Sequence, residues 1–327
     1  MLIQNSIKPM PSESVNESVY LLNDLIKNLN LKYEKSIVND LLNHHLQNTG
    51  KLVRPVLALK FGEWLDVSSL NIQHVSKAAE FIHSASLIHD DVVDEAKIRR
   101  DRETLNAKIS NARAVLAGDF LLAQVIRDLV EIQEYELLKN IAQALKDMIE
   151  GEFLQDNLKS KMEINQEDLI NISQKKTGAL FAWVTQSMAI LSKRDEDTIN
   201  WAHEIGIQLG IAFQMMDDNL DYSKTSGKDF AKDLKEGILN FTTIELMNLY
   251  PELKNSIYIA RGTNFTNIIW NDEQIHMAQK KVEEKIQHIF DRIFLLLNKM
   301  KNQNITLDNH HLLEIYELLD LLQKREK

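Results

Sequence analysis

The sequence predicts an all-α fold, a single large helical bundle spanning residues 1–327, and three observations carry that expectation. Turn formers are scarce: the chain holds 10 glycines and 4 prolines, and no proline lies between Pro55 and Pro251. A β-rich chain of this length needs many more of both at its strand ends. Apolar residues recur at helical spacing, most clearly at Val282, Ile286, Ile289, Ile293 and Leu296, which form one stripe on one helix face. Hydrophobic residues make up 44% of the chain, enough for a sizeable core and too many for wholesale disorder.

Along the chain, the opening stretch MLIQNSIKPMPSESVNES lacks a continuous apolar run of signal-peptide length. Helices are expected over 16–30, 35–48 and 53–65. The next, 71–95, is buried along the small apolar run AAEFIHSASLIH until carboxylates appear. Helices 111–132 and 135–157 follow. Within 167–192 the run ALFAWVTQSMAIL is too short to span a membrane and reads as a buried helix. Helix 197–222 ends in IAFQMMDDNLDY, and 239–249 precedes the only candidate seam, 251–272. Helices 273–300 and 309–324 present acidic and lysine-rich solvated faces. No repeat of fixed period and no Pro-, Gly- or Ser-rich linker divides the chain, so one domain is expected.

Composition excludes several functions. A net charge of −10 argues against nucleic acid, whose phosphates need a basic surface. The absence of cysteine removes disulfides and thiolate metal sites and fits a cytoplasmic location. No apolar run is long enough for a transmembrane segment.

Two acidic clusters stand out. In SLIHDDVVDEAKIRRDRE, Asp90 and Asp94 share a helix face and Asp91 lies about 100° round. Asp217, Asp218 and Asp221 repeat the spacing after a second apolar run. Either cluster alone reads as a solvated helix end. Together, each behind an apolar approach, they suggest carboxylates facing across a bundle interior, which need cations to offset their repulsion. Hard oxygen ligands without His or Cys indicate Mg²⁺, which shares its shell with phosphates, so the implied substrate carries a diphosphate. Bases lie nearby: Lys51 and Arg54 in TGKLVRP, Arg99 and Arg100 after the first cluster, Lys176 with Thr177 in QKKTGAL, and Lys228 beyond the second. Singly each reads as surface charge. His83 by itself reads as a core histidine, the methionines and aromatics as core, and the pairs His44–His45 and His310–His311 as surface.

These residues lie in a chain that resembles the trans (all-E) polyprenyl diphosphate synthases of long-chain type, most strongly over residues 40–240. The resemblance rests on GKLVRP, EFIHSASLIHDDVVDEAKIRR, TLNAK, AVLAGDFLLA, GEFLQ, KKTGAL, FQMMDDNLD and GKDFAKDLKEG, in that order. It implies a helical bundle of the isoprenoid synthase type with a central cavity, a homodimer, and condensation of isopentenyl diphosphate with an allylic diphosphate. It further implies three Mg²⁺ per substrate-bound site, two held by Asp90 and Asp94 and one by Asp217. Asp91, Asp218 and Asp221 would support these metal ligands directly or through water. Arg99, Lys176 and Lys228 match positions that hold the allylic diphosphate, and Lys51, Arg54, His83 and Arg100 those that hold isopentenyl diphosphate. Thr177 and Gln214 match residues lining the reacting centre, while His89, which the match does not name, is at most a support for its neighbours. Small residues at Ala85 and Ser86, one turn before the acids, imply a long product, and product release implies transient membrane contact.

The chemistry needs no side-chain nucleophile: an allylic C–O bond ionises, the isopentenyl π bond attacks the cation, and a proton leaves. Apolar walls keep water from quenching the cation. Four departures from the family pattern mark this chain: TG replaces a double glycine, Leu52 follows Lys51, Asp101 follows the arginine pair, and GILNFT stands where many members have GKxTLP. Two alternatives stay open, a short-chain farnesyl or geranylgeranyl diphosphate synthase and a non-catalytic subunit of a heteromeric synthase. Six retained aspartates count against the latter.

Overall fold

A computed structural model of the chain describes Val38, Leu42 and residues 52–99, 102–161, 163–223, 230–263, 270–303 and 307–324. The expected helices 16–30 and 35–48 fall outside these residues, apart from Val38 and Leu42. Among the described residues the fold is all-α apart from one two-stranded hairpin. The chain divides into two compact units, one of residues 1–138 and 307–322 and the other of 139–306 and 323–327.

In the first unit, α1 (Val53–Trp64) buries Val56, Leu57, Phe61 and Trp64. The Ser68 hydroxyl accepts the Asn71 N–H and so starts α2 (Ser69–Val93), whose inner face runs from Ile72 to Ile88. Beyond α2, β1 (Ile98–Arg99) pairs antiparallel with β2 (Arg102–Glu103), a hairpin too short for periodicity to reveal. After the single turn α3 (Leu105–Lys108), Ser110 caps α4 (Asn111–Glu131). The register of α4 on α2 is set by a buried ion pair, Lys77 to Asp128 at 2.6 Å, with Gln124 donating to the other Asp128 oxygen. Gly118 permits that packing, because a Cβ there would stand 2.2 Å from the His89 ring.

The second unit takes up most of α5 (Tyr135–Ser160). Asn165 and Asp168 form a reciprocal cap that starts α6 (Gln166–Ser173). The expected helix 167–192 is then interrupted: Gln174–Gly178 forms a π turn before α7 (Ala179–Leu191). The wider turn follows from close backbone packing. A Cβ on Gly151 of α5 would lie 2.7 Å from Lys176 N. Next come α8 (Glu196–Asp221), started by Asp195, the short α9 (Lys232–Lys235), and α10 (Phe241–Leu249), started by Asn240. The candidate seam 251–272 contains a 3₁₀ turn at Pro251–Leu253 and α11 (Lys254–Ala260), whose Tyr258 hydroxyl accepts the Ile164 N–H. It lies inside the second unit, so this stretch is not a boundary between the two units. In α12 (Asp272–Gln303) the buried stripe runs Val282, Ile286, Phe290, Ile293 and Leu296. Ile289 is only half-buried, because a step of four from Ile286 follows the helix twist more closely than a step of three.

The last helix, α13 (Asn309–Gln323), lies largely in the first unit. Lys60 of α1 pairs at 3.2 Å with both Glu63 and Glu314, and His311 pairs with Glu314 at 3.0 Å. His311 is therefore half-buried and engaged, where the sequence suggested a surface pair.

Candidate active site

On α2, Asp90 is half-buried and Asp94 is exposed at the helix C-terminus. Asp91 points the other way. It is 1% exposed, and Arg99 of the hairpin donates its Nε–H to Asp91 Oδ1 at 2.6 Å. The Asn106 amide holds the Asp91 and Ala96 carbonyls at 3.1 Å. The hairpin and α3 thus brace the end of α2, leaving Asp90 and Asp94 outermost. His83, Ala85 and Ser86 lie on the same helix. Ala85 is fully enclosed, whereas Ser86 is half-buried and returns its hydroxyl to His83 O at 2.9 Å. His89 faces α4, 3.2 Å from Val115 O and 3.5 Å from Asp119. Arg54 occupies the first turn of α1, where burial pulls its pKa down to about 10, opposed by the Glu80 carboxylate.

In the second unit a cleft of about 240 Å³ gathers Lys176, Gln214, Asp217 and Asp218. The π turn aims Lys176 into it. Its ammonium donates to Gln155 Oε1 at 3.0 Å and pairs with Glu152 at 2.6 Å. The Thr177 hydroxyl donates to Gln214 Oε1 at 3.2 Å, and Gln214 Nε2 donates to Asp218 Oδ1 at 2.8 Å. Asp218 Oδ2 accepts the Phe241 N–H at 3.0 Å. Both oxygens of this buried carboxylate are engaged. Burial, then the Asp233 charge, raises its pKa well above the usual range, against the Phe241 and Gln214 hydrogen bonds. Asp221 is also buried, and its two oxygens accept the N–H groups of Lys232 and Asp233 at 3.1 and 3.3 Å. Asp217 alone of this cluster is exposed.

Each cluster therefore contains outward carboxylates and inward ones, the latter held by the Arg99 side chain in the first cluster and by backbone N–H groups in the second. Lys51, Arg100 and Lys228 lie outside the described residues. Sequence reading gave no role to Glu152, Gln155, Asp233, Asn240 or Arg261, although the last four line the cleft and Gln155 sits in the quoted GEFLQ. Asp233 accepts from Asn240 at 2.9 Å, a link that sequence spacing does not reveal. Another group with metal-ligand spacing, Glu63, His311 and Glu314, is already engaged by Lys60, which pairs with both carboxylates. Among the described residues no helix is long and apolar enough to cross a membrane.

Comparison with known proteins places this geometry in context. A family model described as polyprenyl synthetase matches residues 35–268. A prenyl transferase of Synechocystis is 35% identical over 246 residues, covering 73% of this chain and 76% of the relative. Component 2 of a heptaprenyl diphosphate synthase from Bacillus subtilis is 33% identical over 250 residues, covering 74% of this chain and 72% of the relative. Among solved structures, a polyprenyl synthase from Caulobacter crescentus complexed with calcium and isoprenyl diphosphate superposes with a TM-score of 0.76 at 27% identity. That match covers 98% of this chain and all of the other.

Proposed function

Because this chain belongs to the polyprenyl synthetase family, we propose that it condenses isopentenyl diphosphate with an allylic diphosphate to make a long-chain all-trans polyprenyl diphosphate. The observation that carries this reading is the cleft lined by both the exposed Asp217 and Lys176 beside an apolar wall of Leu158, Leu169, Ile172, Leu239 and Phe241. Both acidic clusters serve one reaction, so residues 1–327 work as a single catalytic domain.

The donor set fits a hard divalent cation. Asp90, Asp94 and Asp217 offer only carboxylate oxygen, and they are the members of the two clusters that are not sealed in the interior. We take the ion to be Mg²⁺, three per substrate-bound site, held by these three residues. When bound, Mg²⁺ offsets the negative charge that grows on the departing diphosphate. Asp91, through Arg99, and Asp218 and Asp221, through backbone N–H groups, position the ligands beside them.

Lys176, Arg99 and Lys228 hold the allylic diphosphate. Glu152 and Gln155 hold the Lys176 ammonium in place before substrate arrives. Arg54, His83, Lys51 and Arg100 hold isopentenyl diphosphate, and Arg54 keeps its charge at neutral pH even with its pKa pulled down to about 10. Ionisation sends the C–O electron pair to the allylic diphosphate. The isopentenyl π bond then closes on the cation, and the proton lost from the adduct passes to the released diphosphate. Thr177 and Gln214, fixed to one another and to Asp218, line the reacting centre. The apolar wall excludes water from the cation.

Exposed Leu116, Ile126 and Val130 on α4 supply apolar surface for a second copy of the chain. Ile126→Glu is expected to convert a homodimer to monomer in sedimentation velocity. The cysteine-free composition supports a reducing compartment such as the cytoplasm, with product handed to a membrane by transient contact.

The deciding experiment incubates purified protein with Mg²⁺, labelled isopentenyl diphosphate and allylic primers of several lengths. A ladder ending in a long all-trans product is expected, and chelation should abolish it. No product from any primer would overturn the reading, and a ladder stopping at farnesyl or geranylgeranyl length would overturn the long-chain part alone.

A further inference from the structure

Arg261 follows α11 and lines the same cleft as Lys176 and Asp217. Its Nε–H donates to Gly237 O at 2.8 Å, one Nη to Lys161 O at 2.9 Å, and the other Nη to Leu158 O. All three acceptors are neutral carbonyls. A guanidinium carries five N–H donors, so N–H groups remain on both Nη atoms beyond these bonds. Among the described residues no carboxylate pairs with it, and burial holds its pKa below the ordinary value.

Its direction is fixed by the backbone on either side. Gly262, at φ +71°, donates its N–H to Leu234 O at 2.9 Å. Gly237, at φ +84°, faces it, and a Cβ on either glycine would make ordinary van der Waals contact with the other's Cα at 3.8–3.9 Å. The turn bearing Arg261 and the turn bearing Gly237 are thereby clasped together. Three neutral carbonyls orient the guanidinium without neutralising it, and a half-buried cation without a counter-charge is unfavourable. The only cations among the described lining residues are Lys176 and Arg261. Lys176 already has Glu152, so Arg261 is the one whose charge no paired carboxylate offsets.

We propose that Arg261 binds the diphosphate of the allylic substrate directly, as a binding residue beyond those the sequence motifs supply. The inference rests on the synthase reading. A planar guanidinium held by its inner edge presents its remaining N–H groups to an anion, a charge-assisted geometry that a lysine only partly reproduces. Order in the Gly237–Ile238 turn follows from the same side chain, so anion binding and turn position are linked through one residue.

The test uses full-length wild type, Arg261→Gln and Arg261→Lys. It measures KM for farnesyl diphosphate and for isopentenyl diphosphate, calorimetric affinity for inorganic pyrophosphate with Mg²⁺, and urea midpoints. Arg261→Gln should raise the farnesyl diphosphate KM and weaken pyrophosphate binding by about tenfold, leaving the isopentenyl diphosphate KM within about twofold. Arg261→Lys should recover part of the pyrophosphate affinity while losing as much stability as Arg261→Gln, since it cannot reproduce the three-carbonyl fork. Lowered urea midpoints with unchanged farnesyl diphosphate KM and pyrophosphate affinity would show a purely structural staple and overturn the proposal. So would equal rises in both KM values. A wild type that neither makes product nor binds pyrophosphate would overturn the synthase reading itself, and this inference with it.

Discussion

Replacing Gly210 with alanine tests whether close backbone packing sets the candidate site. A Cβ at this position would fall 2.3 Å from Gly178 Cα and 2.5 Å from Gly178 N. Ordinary carbon contacts lie near 3.5–4.0 Å, so α8 and the π turn must part by roughly 1.2 Å. No flexible side-chain end can yield, because both facing atoms are backbone. Overpacking of this kind costs about 3 kcal/mol at its upper end, and alanine returns about 1 kcal/mol of helix propensity. The net expectation is a loss of about 2 kcal/mol in urea unfolding, with an unchanged m-value. Function should suffer more. Thr177 immediately precedes Gly178, and Gln214 stands one turn beyond Gly210, so the same displacement pulls on their 3.2 Å hydrogen bond. Misplacement by about 1 Å can lower turnover about a hundredfold. The assay is initial-rate incorporation of labelled isopentenyl diphosphate at saturating primer and Mg²⁺, beside the unfolding curve. Wild-type stability together with wild-type turnover in Gly210→Ala would refute the argument that this contact positions the π turn.

Asp217→Ala should reduce turnover by about a hundredfold or more while changing stability by less than about 0.5 kcal/mol, because an exposed carboxylate braces little. Asp218→Ala should lower both, since it strands the Phe241 N–H and the Gln214 amide, and an unfolding midpoint equal to wild type would contradict its bracing role. Burial raises the Glu314 pKa, but the His311 hydrogen bond and then the Lys60 charge outweigh it and hold it below the usual glutamate value. A depressed folded-state pKa gives stability that is present above the unfolded value and lost as pH falls through the folded one. Glu314→Gln should therefore be about 1–2 kcal/mol less stable at pH 7, with the gap to wild type closing below about pH 4.5 in urea titrations. Ser86→Phe should shorten the product ladder while sparing the first condensation. The sealed Ala85 is a poorer place for that test, because phenylalanine there costs about 1–3 kcal/mol of overpacking. Chromatography of products that shows an unchanged ladder in Ser86→Phe would place the chain-length wall elsewhere.

Much of this protein was legible before any fold was built. Scarce glycine and proline and the three-and-four spacing of apolar residues are local properties, and the described helices follow them within a few residues, apart from the π turn that interrupts 167–192. The acidic clusters were legible for the same reason, since spacing along one helix decides which carboxylates share a face. The pairing of strand 98–99 with 102–103 and the π turn were not. Two-residue strands carry no period, and the π turn reflects backbone pressed on by Gly151 and Gly210, glycines outside its own sequence.

Sequence alone thus determined the helical class, the charge-bearing motifs and the family resemblance, all written in near neighbours along the chain. Tertiary structure decided which aspartates face outward and which are held. Asp218 is braced by the N–H of Phe241, 23 residues away, and Asp221 by that of Asp233, 12 residues away. Arg261 reaches carbonyls 100 and 103 residues earlier in the chain. Hydrogen bonds and burial depend on what comes within about 3 Å in space. Separations of that kind leave no period or motif in the sequence, so a carboxylate's role is settled only when the chain has folded around it.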